Sequence, residues 1–177
     1  MKVLAILNDG FEDLEANGTI IILRRAGYEV TVISDSSSVK SKYTTYTNLK
    51  TFNDISFGDY DLLFLPGGGY TPSEKTNDAI KYFIENNKYV AAICSAPTYL
   101  GKLGYLKNRQ YVCFPSMNED FGGTYVDTYV VYDNKVFTAR SVSSAMKLPF
   151  KILEVIDGTE KVKQVKKQME YKQEDII

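Results

Sequence analysis

A repeated alternation of short, mostly apolar segments with longer amphipathic ones is the feature that most constrains the fold. The apolar segments, each suited to a buried strand, are residues 3–7, 29–33, 60–65 and 89–93. Segments 12–26 and 73–86 carry their apolar residues at helical spacing. Buried strands that alternate with amphipathic helices are typical of a parallel sheet with helices on its faces. The chain is therefore predicted to adopt an α/β fold.

Further elements are predicted outside this alternation. Residues 43–52 are rich in Thr and Tyr and are predicted to form an exposed antiparallel hairpin. Later strands are predicted at residues 111–114, 125–132 and 135–139. A helix capped by Ser143 or Ser144 is predicted next, with Pro149 marking either a kink or a late start. Residues 160–172 are predicted to form a last surface helix that packs on the rest of the protein through one apolar stripe.

Length and charge limit the class of protein. The 177 residues are predicted to form a single domain, residues 1–177. The chain has 21 Lys and Arg against 22 Asp and Glu, so its charges nearly balance. Such a balance predicts that the protein binds neither nucleic acid nor an anionic membrane. No segment approaches the roughly 18 apolar residues of a spanning helix, and no signal-peptide pattern opens the chain. We expect a cytoplasmic protein.

The absence of histidine excludes several kinds of catalytic site. Neither a Ser-His-Asp triad nor a Cys-His pair can be built, even between copies of this chain. Zinc sites that contain histidine are excluded as well, and Cys94 and Cys113 are too few for a thiolate-rich site, so no metal is predicted. Glycines 67–69 lack the spacing of a dinucleotide fingerprint or a P-loop, and no cofactor is predicted.

Cys94 carries the clearest chemical signal. Residues 90–97 place this thiol on a tight turn from a strand to a helix, which is the geometry of a nucleophile elbow. The N-terminus of that helix is predicted to lower the pKa of the thiol. The alternative is a small core cysteine, and the elbow position favours the functional interpretation. Cys113 is interpreted as a core residue whose side chain points away from the site.

Glycines 67–69 follow a buried strand, and the carboxyl ends of parallel strands meet at one edge of a sheet. This turn is therefore expected beside Cys94. Glycine lets the backbone approach a ligand closely, and the N–H groups of Gly68 and Ser95 are predicted to form an oxyanion hole. The alternative is a turn that only requires positive φ.

Glu15 lies in the first turns of the first predicted helix, which opens onto the same edge. Burial and a nearby thiolate both disfavour its ionisation, so a protonated Glu15 is predicted to hydrogen-bond Cys94 and to shuttle a proton. The alternative is an acidic residue favoured near a helix N-terminus, a role that Glu12 and Asp13 fit better.

The chain resembles the DJ-1/PfpI family in several motifs and in their order along the sequence. The spacing of these motifs is most similar to that of the DJ-1-like branch. The motifs are residues 12–15 (Glu-Asp-Leu-Glu), 23–27 (Leu-Arg-Arg-Ala-Gly), 65–68 (Leu-Pro-Gly-Gly), 92–97 (Ala-Ile-Cys-Ser-Ala-Pro) and 138–140 (Thr-Ala-Arg). The resemblance implies a flavodoxin-like, class I glutamine amidotransferase-like three-layer sandwich with a mostly parallel central sheet. It also implies a homodimer, a reactive cysteine contacted by a glutamate, and activity on methylglyoxal and related 2-oxoaldehydes.

The sequence departs from the family pattern near the cysteine. Phe114 stands where many members carry a histidine, and Ile21 where an acidic residue often faces it. Without that histidine, PfpI-type peptidase and glutamine amidotransferase activities are disfavoured. The predicted site comprises Cys94 and Glu15 as catalytic residues, Gly68 and Ser95 as oxyanion donors, and Gly67, Phe114 and Arg140 as pocket-lining residues.

Two functions use the same Cys94 and Glu15 pair, and the sequence does not separate them. The first is a cofactor-free glyoxalase or deglycase that acts on a small reactive carbonyl compound. The second is a non-enzymatic redox sensor or stress-protective protein in which an oxidant modifies Cys94. A lyase like the isonitrile hydratases is a third option, for which the sequence carries no positive feature.

Overall fold

A computed structural model describes residues 1–69 and 71–172 of the chain. The strands are β1 (Lys2–Ile6), β2 (Glu29–Ser34), β3 (Val39–Lys40), β4 (Thr45–Tyr46), β5 (Lys50–Thr51), β6 (Leu62–Leu65), β7 (Tyr89–Ile93), β8 (Gln110–Tyr111), β9 (Thr124–Tyr125), β10 (Val130–Asp133) and β11 (Val136–Ala139). The helices are α1 (Asp13–Arg25), α2 (Glu74–Glu85), α3 (Ala96–Lys102), α4 (Lys147–Asp157) and α5 (Thr159–Gln168). Residues 173–177, which end the predicted domain, lie outside the described residues.

The central sheet has seven strands in the order β10-β11-β7-β6-β1-β2-β5. Every neighbouring pair is parallel except β10 with β11, which form an antiparallel hairpin at one edge. Helices α1, α4 and α5 cover one face, and α2 and α3 cover the other. This confirms the predicted three-layer, flavodoxin-like α/β sandwich with a mostly parallel sheet.

Alternation along β1 builds both halves of the core. Val3 and Ala5 face the layer of α1 and α4, whereas Leu4 and Ile6 face the layer of α2 and α3. All four side chains are fully buried. A strand covered on both faces must be apolar at every position, which explains the unbroken apolar run that predicted it.

The predicted hairpin at residues 43–52 was wrong in its register. β3 pairs with β4 in the antiparallel sense, so the hairpin starts earlier, at Val39. The Ser41 hydroxyl closes its turn by accepting hydrogen bonds from the N–H groups of Tyr43 and Thr44. β5 instead joins the central sheet, in parallel beside β2.

Two later predictions also need correction. The strand expected at residues 111–114 is only β8, which pairs with β9 in a separate small sheet, and the strand expected at 125–132 is divided between β9 and β10. The serine caps are wrong as well, since Ser143 and Ser144 lie in a short 3₁₀ turn and α4 begins at Lys147. Pro149 therefore falls in the first turn, where its missing N–H costs little, and the late start is confirmed.

The described part of the chain contains no helix that is long and apolar enough to cross a bilayer.

Candidate active site

Cys94 lies between β7 and α3 in a strained backbone conformation, with a φ of 65°. Such an angle is uncommon for a residue other than glycine. The Cys94 N–H donates to the Ala139 carbonyl over 2.8 Å, and its own carbonyl accepts from the Phe114 N–H over 2.8 Å. Two neighbouring segments thus hold the turn in place, and the predicted elbow geometry is confirmed.

Glu15 is fully buried in the first turn of α1. Its Oε2 accepts a hydrogen bond from the Gly67 N–H over 2.8 Å, and its Oε1 has no hydrogen-bond partner among the described residues. The capping role belongs to Glu12, whose Oε2 accepts from the Glu15 N–H over 2.9 Å. Glu15 therefore does not cap α1, and its side chain points into the protein towards the turn that follows β6.

The acid–base properties of Glu15 and Cys94 depend on each other. Burial raises the pKa of Glu15 to about 7, against the lowering effect of hydrogen bonds from Cys94 and the Gly67 N–H. This confirms the direction predicted for Glu15. The prediction for the thiol was wrong in sign: burial and the Glu15 carboxylate raise the pKa of Cys94 to about 12, although the Ser95 N–H lowers it. Because two adjacent buried charges repel, a thiolate can form here only while Glu15 is protonated.

Gly67 is buried behind the pair and holds its two members together. A Cβ placed on this residue would lie 2.6 Å from Cys94 Cβ and 2.7 Å from Glu15 Oε2. Both distances are far below van der Waals contact, so no larger residue fits there. Gly67 was predicted to line the pocket, but it backs the two side chains and is not among the residues that line the cavity in front of them.

The two predicted oxyanion donors differ in availability. The Ser95 N–H hydrogen-bonds the sulfur of Cys94 and lowers its pKa. The Gly68 N–H is already engaged, because it donates to Ser95 Oγ over 3.0 Å while that hydroxyl donates to the Gly68 carbonyl over 2.9 Å. The Gly68 N–H can therefore donate a hydrogen bond to an oxyanion only after the Ser95 hydroxyl rotates away.

A cavity of about 440 Å³ opens in front of the thiol. Its lining residues are Gly10, Glu12, Lys42, Gly68, Gly69, Cys94, Ser95, Phe114 and Met117. Phe114, which was predicted to line the pocket, is among them. Lys42 and Met117 were missed, because one depends on the register of the β3–β4 hairpin and the other on a short 3₁₀ turn after β8.

Arg140, predicted as a pocket-lining residue, lies elsewhere. It forms an ion pair with Asp127 and lines a separate cavity of about 330 Å³ beside Tyr129 and Ser143. Cys113 is buried in the core on the side of α2 and α3, which confirms its interpretation as a core residue.

Known proteins resemble this chain in both sequence and fold. The profile of the DJ-1/PfpI family matches residues 1–155. Protein dj-1beta of Drosophila melanogaster is 31% identical over 177 residues, covering 94% of this chain and 95% of the relative. A deglycase of Thermococcus kodakarensis is 33% identical over 150 residues, covering 79% of this chain and 90% of the relative.

The crystal structure of Drosophila melanogaster DJ-1beta superposes with a TM-score of 0.87 at 30% identity, covering 97% of this chain and 98% of that one. The family profile, the sequence relatives and the structural superposition all point to the same family over most of the chain. The chain belongs to the DJ-1/PfpI family.

Proposed function

We propose that this protein converts methylglyoxal-like 2-oxoaldehydes into 2-hydroxy acids without a cofactor, with Cys94 as nucleophile and Glu15 as the proton carrier. The observation that carries the proposal is a buried carboxyl with a pKa of about 7 beside an elbow thiol. A general base is most effective when its pKa lies near the working pH. A relative that is named a deglycase supports this class of reaction.

In the first step the sulfur of Cys94 attacks the aldehyde carbon, C1, of the substrate. The Glu15 carboxylate accepts the thiol proton as the S–C1 bond forms, so no free thiolate has to persist in the buried site. The aldehyde oxygen becomes an oxyanion beside the Ser95 N–H, and Glu15 returns the proton to it. The product is a hemithioacetal with one new S–C bond and a hydroxyl on C1.

In the second step the Glu15 carboxylate removes the hydrogen on C1, and the electron pair moves through an enediol. Glu15 then delivers that proton to C2, while the hydroxyl proton of C1 passes through solvent to the oxygen of C2. This leaves a thioester of a 2-hydroxy acid on Cys94. Water attacks the thioester, releases the acid and restores the thiol, so the sum is 2-oxoaldehyde plus water to 2-hydroxy acid.

Lactate formation from methylglyoxal without added glutathione tests this function. The wild type is expected to form lactate, and Cys94→Ser to lose at least about a thousandfold in kcat/KM. Cys113→Ala removes the other cysteine and is expected to keep the activity. Absence of lactate from a wild-type sample whose Cys94 is intact and reduced, as shown by mass spectrometry, would contradict the proposal.

A second candidate, redox sensing, is favoured by the Ser95 N–H that faces the sulfur and by the neighbouring Glu15. Two equivalents of peroxide would convert the thiol to a sulfinic acid with release of two waters, and both neighbours would donate hydrogen bonds to its oxygens. Mild peroxide is then expected to add two oxygens at Cys94 and none at Cys113. An unchanged intact mass would contradict this candidate.

We also propose that two copies of the chain associate through α1. Leu14 and Ile21 are seven positions apart on this helix, share one side of it, and are each about half exposed. Such an exposed apolar face is typical of a contact between subunits. Light scattering is expected to give twice the chain mass of 20.0 kDa, and Ile21→Arg to shift the protein towards monomer. A monomeric wild type would contradict the proposal.

A further inference from the structure

Phe114 and Met117 present two large apolar side chains to the Cys94 cavity. They remain 40% and 37% exposed, although most large apolar side chains in the described part of the chain are buried. Met117 ends the 3₁₀ turn Pro115–Met117 and Phe114 is its N-cap residue, and the Met117 N–H donates to the Phe114 carbonyl over 2.9 Å. The backbone thus holds the two side chains together as an apolar wall of the cavity. Exposed apolar surface gathered in a concave site is typical of a ligand-binding region.

The charges around the thiol favour a neutral ligand. Among the described residues that line the cavity, the charged side chains are Lys42 and Glu12, which have opposite signs. Loss of a proton from the Glu15 and Cys94 pair adds a negative charge behind them. The cavity therefore offers no excess positive charge to a carboxylate or phosphate on the substrate.

The apolar wall continues beyond this cavity. Met117 also lines a second cavity of about 510 Å³, which shares Gly68 and Gly69 with the first. Leu103 and Pro72 contribute further apolar surface to it, and Lys102 adds one positive charge, which the negative charge of the Glu15 and Cys94 pair offsets. A substituent on a substrate held at Cys94 thus has room to extend past Met117 along apolar side chains.

We infer that Phe114 and Met117 select neutral substrates whose reactive carbonyl group carries a bulky apolar or aromatic substituent, in preference to methylglyoxal. The reaction in question is the proposed one, so the inference rests on that proposal for the chemistry. The wall itself is a property of the cavity, and it acts on any electrophile that approaches the thiol. The selectivity can therefore be measured without turnover.

Alkylation of Cys94 by N-benzyl iodoacetamide and by iodoacetamide measures this selectivity directly. In both reactions an S–C bond forms and iodide leaves, and each rate is divided by the rate with glutathione to remove intrinsic reactivity. The normalised benzyl rate of the wild type is expected to exceed the iodoacetamide rate about tenfold. Phe114→Ala and Met117→Ala are each expected to lower that ratio about threefold or more.

Val142→Ala is the matched control, since Val142 is 42% exposed and does not line the cavity. It is expected to leave the ratio unchanged. A wild-type ratio near one, or a ratio that neither wall variant changes, would overturn the inference. An unchanged ratio together with weaker self-association of both variants would likewise overturn it, and would assign the wall to a contact between copies of the chain.

Turnover supplies a second, separate comparison. The wild type is expected to show a kcat/KM for phenylglyoxal about tenfold above that for methylglyoxal, and the wall variants to reduce this preference. A high alkylation ratio in a protein that turns over neither aldehyde would support the wall and contradict only the proposed reaction. Equal kcat/KM values for the two aldehydes would overturn the inference while leaving the proposed reaction intact.

Discussion

The Gly67 N–H donates a hydrogen bond to Glu15 Oε2 over 2.8 Å and joins residues that are 52 positions apart in the chain. The contact ties the turn after β6 to the first turn of α1. The Cα of Gly67 also packs against Cys94, where an added Cβ would lie 2.6 Å from the cysteine Cβ. One small residue therefore sets the position of both members of the pair.

Gly67→Ala is expected to separate Glu15 from Cys94 and to lower lactate formation at least about tenfold, with a loss of stability of about 1–3 kcal/mol from overpacking. Gly69→Ala, in the same turn, is the matched control, since a Cβ there meets no atom within 4 Å among the described residues beyond its chain neighbours. It is expected to change stability by less than about 0.5 kcal/mol. Urea unfolding and the lactate assay measure both variants. Equal behaviour of the two variants would contradict the role assigned to Gly67.

The rate of Cys94 alkylation is expected to rise with pH to a plateau, with a midpoint near the Glu15 pKa of about 7. Below that pH both Glu15 and Cys94 hold their protons. Above it the pair shares a single proton, and a thiolate can form while that proton is on Glu15. In Glu15→Gln the thiol titrates alone, and burial keeps its pKa above the ordinary value of 9.0. The midpoint is thus expected to move above pH 9. Iodoacetamide labelling resolved by peptide mass measures it, and an unshifted midpoint in the variant would argue against coupling.

Burial of Glu15 is expected to make the protein less stable as the pH rises. Its pKa goes from the ordinary 4.5 to about 7 on folding, so the folded state holds the proton more tightly. That stabilisation is complete below pH 4.5 and is lost as the pH rises through 7. At about 1.36 kcal/mol per pKa unit, the loss amounts to roughly 3 kcal/mol.

Glu15→Gln removes this titration, and the variant is expected to be more stable than the wild type at pH 8 by up to about 3 kcal/mol. The measurement is the free energy of unfolding in urea for both proteins at pH 5 and pH 8. Taking the difference between the proteins at each pH cancels the other titrating groups. Parallel pH profiles would show that Glu15 ionises as freely in the folded state as in the unfolded chain.

Arg140→Ala is expected to leave Cys94 alkylation and lactate formation within about twofold of the wild type. The side chain lines a different cavity, and its partner Asp127 is largely exposed, so the ion pair is worth about 0–1 kcal/mol. A loss of activity larger than tenfold would return Arg140 to the active site.

The elbow and its carboxyl partner were predictable because each depends on a local pattern. Cys94 follows an apolar strand and precedes a helix, and Glu15 lies one turn into a helix that follows another such strand. The rule that the carboxyl ends of parallel strands share one edge then brings them together. No knowledge of side-chain packing was needed for this step.

Other parts of the site depend on tertiary structure that the pattern does not specify. Lys42 reaches the cavity because the hairpin register is set by the Ser41 hydroxyl, and Met117 because a 3₁₀ turn replaces the expected strand. The sign of the Cys94 pKa shift depends on burial of the thiol, which outweighs the nearby helix N-terminus. Lone polar residues such as Lys42 gave no sequence signal that separates them from an ordinary surface.

The most direct test of the central claim, that Cys94 and Glu15 act as one unit, is methylglyoxal turnover by Glu15→Gln. The variant keeps the thiol and, through its amide oxygen, an acceptor for the Gly67 N–H, but it has no group that carries a proton between C1 and C2. We predict a loss of kcat of at least about a hundredfold, with Cys94 still alkylated by iodoacetamide at high pH. A Glu15→Gln variant that forms lactate at the wild-type rate would contradict the account.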